Sequence, residues 1–351
     1  MTLAALIRHL LFAAVIAMVS AVVVRAMINA RVMDLPNERS SHATPTPRGG
    51  GMGIVVGFLL GIAVLYGFAS FARLADPYFR GVILASVAIA VVGFADDLKD
   101  WPFVVKLAAQ VVAALAAVGS GLFVAVFRLP VIGAVDLGPV GGAAVTMAWI
   151  LFATNAMNFI DGLNGLAAGT ALVACGFLAA IAEAERGWFV YFAALLLGAG
   201  IVGFLPFNFP RARIFMGDVG SQFAGFVLAV LGVAASRFET VEMSFLLVPM
   251  LLSGVLYDVA FTLLRRALAG ERLTAAHRGH LYQVAQRSGM DARAVAVMHW
   301  GFAALGGLGC VAFIAAPSPA KPLLPILLLL PQVAWTLHVT ARARRAGLDQ
   351  W

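Results

Sequence analysis

The chain has 351 residues, enough for two or three soluble domains, yet 62% are hydrophobic and 12% charged, with a mean hydropathy of +0.96. That balance excludes a soluble globular protein. The formal charge of +7 comes from 24 Lys and Arg against 17 Asp and Glu that punctuate long apolar runs, so it speaks of membrane orientation and gives no reason to expect nucleic acid as a partner.

A bilayer core of about 30 Å needs roughly 20 apolar residues per helix. Charge-free runs occur at 9–24, 49–72, 81–95, 107–127, 137–160, 162–182, 187–210, 219–236, 243–257, 294–320 and 322–341. We read them as about eleven transmembrane helices of one all-α integral membrane domain covering 1–351, the short runs extending past one flanking charge such as Asp258. The first run lacks a small-residue cleavage site and leads into a polar loop, so it reads as a span and not as a removed signal peptide. The connection from Arg128 to Gly142, with Pro130, Gly133, Gly138 and Pro139, reads as a short β-hairpin or an irregular loop. Cys175 and Cys310 lie inside apolar runs and read as buried thiols. Of the 24 Lys and Arg, 17 follow odd-numbered runs. By the positive-inside rule the N-terminus is periplasmic and the C-terminus cytoplasmic.

Residues able to do chemistry collect in five segments, 34–51, 96–106, 155–165, 208–221 and 265–293, each after an odd-numbered run. That parity predicts one site on the cytoplasmic face. In the first segment Arg48 is a candidate for binding an anionic substrate. Asp96 and Asp97 end an uncharged stretch, at a depth where a carboxylate left in the bilayer costs about 2.5 to 3.5 kcal/mol, so they need water, a cation or a basic partner. Helix neighbours point about 100° apart, so both need not face one ion, and a solvated helix end is the plain alternative. Lys106 can hold a phosphate or simply snorkel to the interface. Asn155 and Asn158 stand at i and i+3 ahead of Asp161, Asn164 and the helix-breaking Gly162 and Gly165. Their oxygens suit a hard cation or a nucleobase amide edge, or else form a mere interhelical turn. The stretch Met216–Ser221 places Asp218 where a new run starts, as part of an ion site or as an N-cap. His277, Arg278 and His280 lack the acidic partner and spacing of a zinc protease and read as a cationic phosphate or sugar clamp, or as a basic loop that only sets topology. His9, His299 and His338 read as satisfied core residues. Asp258 and Arg265, about 10.5 Å apart along a helix, must pair elsewhere in structural roles.

In this order and with this parity the motifs resemble the polyprenyl-phosphate N-acetylhexosamine-1-phosphate transferases, from about Asp34 to Gln283. The resemblance implies a multi-pass enzyme of the bacterial inner membrane that couples undecaprenyl phosphate to a UDP-amino sugar, releases UMP and begins a cell-envelope polysaccharide. It implies that Asp96, Asp97, Lys106 and Asp161 are catalytic, that Asn158 and Asp218 hold Mg²⁺ or Mn²⁺, and that the turn with Asn164 reads the uracil. Many bacterial members carry aspartate at that last position, and the eukaryotic pattern carries asparagine. The stretch HRGHLYQ looks like the form in O-antigen-type members. Arg48, Asn155, His277, Arg278 and His280 complete the candidate substrate-binding set, and a homodimer is compatible with this reading. Asp96 is the favoured base toward the lipid phosphate, but a phosphate monoester with a second pKa near 6 is already mostly dianionic at neutral pH, so cation organisation is the competing role. A secondary transporter is the alternative class, although its polar groups belong at mid-membrane on broken helices. A CDP-alcohol phosphotransferase is weaker still, because its paired aspartate motif is absent around Asp161 and Gly162.

Overall fold

Helices carry most of the chain that the computed structural model describes, residues 1–35, 44–68, 77–129, 133–236, 243–275 and 277–348. Residues 36–43 of the first polar segment, with Arg39, lie outside the described residues, as do Arg73, Pro130 and Arg237. Helix α1 (Leu3–Ala30) starts at Thr2, whose hydroxyl accepts the Ala5 N–H at 3.3 Å, and stops at Arg31 in the left-handed region. The short strands β1 (Met33–Asp34) and β2 (Thr46–Pro47) pair antiparallel ahead of α2 (Gly51–Phe68), α3 (Pro77–Lys99) and α4 (Phe103–Gly119). An antiparallel hairpin of β3 (Val126–Leu129) and β4 (Gly133–Asp136) occupies the connection expected to be a hairpin or loop. Then follow α5 (Gly138–Phe159), α6 (Leu166–Ala184), α7 (Trp188–Asn208), α8 (Asp218–Ala235), α9 (Leu247–Leu251), α10 (Ser253–Leu268), α11 (Leu281–Arg287), α12 (Ala292–Ala315), α13 (Leu323–Leu327) and α14 (Leu329–Arg345).

Among the described residues eight stretches are long and apolar enough to cross a membrane: α1, Arg80–Lys99 of α3, α5, α6, α7, α8, α12 and Ser318–Arg345. Gly51–Gly67 and Phe103–Gly119 are apolar but shorter. The run at 243–257 is divided between α9 and α10, with the break at Leu252, three residues after Pro249. Proline has no N–H for the helix ladder and its ring crowds the preceding turn, a usual cause of such breaks. Outer helices leave large apolar side chains uncovered, as with Leu10, Leu11, Met18 and Val22 on α1, which is the surface a lipid phase requires.

At the centre stands α8, buried along almost its whole length and packed by α2, α3 and α5. Its neighbours approach without side chains between them. A Cβ added at Gly51 of α2 would collide with the Gly220 backbone, and one at Gly93 of α3 would sit 2.8 Å from the Val219 backbone. Close backbone approach through glycine is how membrane helices gain packing when there is no water to drive them together. The Met1 ammonium meets Glu183 at 2.7 Å, so the start of α1 and the α6–α7 turn share one end of the bundle. His9 bonds the Tyr191 hydroxyl at 3.0 Å, and buried His299 bonds the Val295 carbonyl at 2.9 Å, both as expected. His338 departs from expectation: it is exposed on α14, stacked beside Trp335. Both cysteines are buried and free.

Candidate active site

Asp96 and Asp97 sit side by side near the end of α3 and turn to different partners, as their angular separation on a helix requires. Asp96 accepts the Trp101 N–H on Oδ1 at 2.8 Å and the Lys106 ammonium on Oδ2 at 3.1 Å. Lys106, one turn into α4, also donates to Asp218 Oδ2 at 3.1 Å, so its single charge ties α3 to α8. Asp97 accepts the Asp218 N–H on Oδ1 at 2.9 Å and the Val219 N–H on Oδ2 at 3.2 Å. Helix α8 follows Gly217, which stands at φ 75° and has no side chain with which to cap the free N–H groups of the first turn. The cap therefore comes from another helix, with its negative charge at the positive end of the α8 dipole.

The end of α5 completes the wall. Asn158 donates through Nδ2 to Asp218 Oδ1 at 3.0 Å and to Ser221 Oγ at 2.9 Å, and Gln222 donates to Asp218 Oδ2 at 2.8 Å. In the turn after α5, Asp161 and Asn164 face a cavity of about 220 Å³ that Arg48, Asp97, Asn158, Asp218 and Gln283 also line. Burial, and then the charges of Asp218 and Asp97, push the Asp161 carboxyl well above the usual carboxylate range. Arg48 pairs with Asp100 at 2.9 Å. Its segment is sewn to the approach to α8 by three backbone bonds, Phe215 N–H to Pro47, Gly50 N–H to Phe215 and Gly51 N–H to Met216, at 2.8, 2.9 and 2.8 Å.

The sequence of glycosyl transferase family 4 matches residues 79–236, which hold every one of these carboxylates. The chain is 32% identical over 307 residues to the decaprenyl-phosphate N-acetylglucosaminephosphotransferase of Mycobacterium tuberculosis, covering 81% of this chain and 74% of that protein. It is 31% identical over 305 residues to the protein of the same description from Mycobacterium leprae, covering 80% and 75%. With the undecaprenyl-phosphate alpha-N-acetylglucosaminyl 1-phosphate transferase of Thermotoga maritima it shares 29% over 255 residues, 73% of each. The chain belongs to this transferase family. Membership sets aside the transporter alternative.

Not every residue expected at the transferase site lines the cavity. Asn155 stands behind it, donating to the Leu151 carbonyl at 2.8 Å and to Gln110 Oε1 at 2.6 Å. His280 is buried, with Nδ1 3.1 Å from Asp258 Oδ1. Asp258, on α10, also accepts the Leu281 and Tyr282 N–H groups at 3.0 Å each, so it holds the start of α11 as Asp97 holds the start of α8. That is the separate pairing and structural role expected of Asp258. Tyr282 then donates to the Phe159 carbonyl at 3.0 Å and packs on Gly162, joining the HRGHLYQ stretch to the Asn158–Asp161 turn. The rings of His277 and His280 are tilted against each other with centroids 4.9 Å apart, and burial, then the charges of His280, Arg266 and Arg265, hold His277 down at about 4. The Arg278 carbonyl accepts from Arg287 at 3.0 Å. The sequence reading missed Gln110 and Gln222, although they lie four residues beyond Lys106 and Asp218 and so on the same helix faces. Asn208 accepts the Gly165 N–H at 2.6 Å and donates to the Ile214 carbonyl at 3.0 Å, joining the third polar segment to the fourth.

Among the described residues no three His, Cys, Asp or Glu side chains are grouped as a metal cage. Mg²⁺ asks for less than that: one or two carboxylates, with water and substrate phosphate oxygens completing the octahedron. The donors fit. Asp218 offers a carboxylate at the cavity wall, and Asn158, whose amide nitrogen is committed to Asp218 and Ser221, adds a carbonyl oxygen of the kind a hard cation takes.

Proposed function

We propose that the chain transfers N-acetylhexosamine-1-phosphate from a UDP-sugar to undecaprenyl phosphate at the cytoplasmic face of the bacterial inner membrane, giving a lipid-diphosphate sugar and UMP, and so starts a cell-envelope polysaccharide of the O-antigen type. The observation that carries this reading is Lys106, held between Asp96 and Asp218 at 3.1 Å from each beside a carboxylate-lined cavity. An ammonium has three donors, and two are committed here, so the third is available to a phosphate oxygen. A lipid phosphate oxygen forms a bond to the sugar-bearing phosphorus as the pyrophosphate bond to UMP breaks. When bound, Mg²⁺ or Mn²⁺ supplies charge neutralisation to the phosphate oxygens, and Asn158 and Asp218 are the residues to hold it. The lipid phosphate is mostly dianionic at neutral pH, so Asp96 acts chiefly by holding Lys106 and the end of α3. Asn164 and Gln283 on the cavity wall suit the polar edges of the uridine and the sugar. The orientation with a periplasmic N-terminus rests on the 17 Lys and Arg after odd-numbered runs, and the pairing of Met1 with the α6–α7 turn has the matching parity.

The test is incubation of purified protein with undecaprenyl phosphate, Mg²⁺ and a panel of radiolabelled UDP-N-acetylhexosamines. Organic-soluble label with stoichiometric UMP from one of them is the expected result. Absence of both from the whole panel overturns the reading.

A further inference from the structure

Behind the cavity three side-chain amides run in series from α5 through α4 to α8. Asn155 Nδ2 donates to Gln110 Oε1 at 2.6 Å, Gln110 Nε2 donates to Gln222 Oε1 at 3.0 Å, and Gln222 Nε2 donates to Asp218 Oδ2 at 2.8 Å. Gln110 and Gln222 are buried, at 3% and 1% exposure, where an amide without partners costs more than it would in water. The series has one polarity, and each end enforces it. An ionised Asp218 can only accept, which turns the Gln222 nitrogen toward it and fixes the two amides behind it in succession. At the other end the Leu151 carbonyl can only accept, at 2.8 Å, which turns the Asn155 nitrogen the same way. Hydrogen bonds aligned head to tail polarise one another, so every donor in the row strengthens the bond that reaches Asp218.

We infer that Gln222, Gln110 and Asn155 are positioning residues for the divalent-cation site, fixing the rotation of the Asp218 carboxylate, whose Oδ2 takes Gln222 and Lys106 while its Oδ1 meets Asn158, the other proposed cation-holding residue. Lys106 on the same oxygen cannot do this, and Asn158 holds only the opposite one at 3.0 Å. The Lys106 ammonium is a rotatable point charge shared with Asp96, whereas the amide of Gln222 is planar and held from behind. Groups that orient a metal ligand typically change metal affinity by about 10- to 100-fold when removed. None of the three needs to touch substrate for this role. Asn155, which the sequence suggested as a substrate contact, thereby acts two amides away from Asp218.

This inference rests on the proposal that Asp218 holds the cation, and the test separates the two. Mn²⁺ binding to purified, substrate-free protein is measured by electron paramagnetic resonance for wild type, Asp218→Asn, Gln222→Met, Gln110→Met, Asn155→Leu and the Gln110→Met/Gln222→Met pair. Expected are a loss of about 10-fold or more for Gln222→Met, smaller losses for Gln110→Met and Asn155→Leu in that order, and a double variant no weaker than Gln222→Met alone, because one row can be broken only once. Gln222→Leu serves where Gln222→Met does not fold: it likewise removes the donor without adding charge and is expected to weaken Mn²⁺ binding as well. If Asp218→Asn loses Mn²⁺ while the Gln and Asn155 variants bind as wild type, or if the double variant shows the product of its single losses, the positioning row is wrong and the cation site stands. If Asp218→Asn binds as wild type, the cation assignment fails and the row fails with it.

Discussion

Asp97→Asn tests whether the site is assembled by a cap or by a metal ligand. Asparagine keeps one acceptor oxygen and turns the other into an NH₂ that faces a backbone N–H, so one of the two bonds at 2.9 and 3.2 Å is lost. A hydrogen bond to a charged group contributes about 1.5 to 3 kcal/mol, and loss of the charge at the start of α8 adds about 0.3 to 1 kcal/mol. The sum is roughly 2 to 4 kcal/mol. At about 2 °C per kcal/mol, the low end for domains of 150 to 250 residues, the melting midpoint falls by about 4 to 8 °C. Because the Asp218 N–H is one of the two donors, turnover falls as well, and added Mg²⁺ does not restore it. The assay pairs the tryptophan-fluorescence midpoint in detergent with UMP release across a Mg²⁺ titration. An unchanged midpoint with activity regained at high Mg²⁺ would refute the cap and make Asp97 a direct cation ligand.

Three further outcomes are expected. Asp161→Asn raises the midpoint of the metal-free protein while lowering turnover: the folded carboxyl is pushed up by burial, Asp218 and Asp97, so its contribution to stability falls as pH rises above its ordinary range, and the neutral amide escapes that loss; a lower midpoint at pH 8 counts against this. For His277, held at about 4 when folded against an ordinary value near 6.5, the unfolded chain binds the extra proton between those values, so its share of stability is present above 6.5 and is lost as pH falls toward 4. His277→Gln therefore flattens the midpoint-against-pH curve in that window, and an unaltered slope rejects the assignment. Asp96→Asn loses kcat by a factor nearly constant from pH 6 to 9 if Asp96 organises Lys106, because the lipid phosphate ionises largely unaided; strong recovery at alkaline pH identifies a general base instead.

Much of this site was legible in the sequence because polar residues are costly in a membrane and therefore informative. Asp96, Asp97, Lys106, Asn158, Asp161 and Asp218 stood out against apolar runs, and the structure gathers them around or directly behind one cavity. Their separate partners were not legible. Adjacent aspartates at about 100° have two destinations, but only the packing of α3 on α8 decides that Asp97 meets backbone N–H groups while Asp96 meets Lys106. Asn155 shows the converse: its spacing from Asn158 is right for a shared face, yet Gln110 on another helix claims it. The division of the 243–257 run had a visible signal in Pro249, which the charge-free pattern passed over because proline is uncharged.

The glycines around α8 carry a consequence for how specificity can change. Where Gly51 and Gly93 rest on the backbone at Val219 and Gly220, the spacing between α2, α3 and the Asp218 turn is set by main-chain atoms in contact, with no side-chain length available to adjust it. The separation of Arg48, Asp97 and Asp218 thus behaves as a fixed gauge, which under the proposed function would suit a phosphate group whose dimensions do not vary from one sugar nucleotide to another. Under that proposal a change of sugar would be met on the wall carrying Asn164 and Gln283, where side chains take part in the boundary.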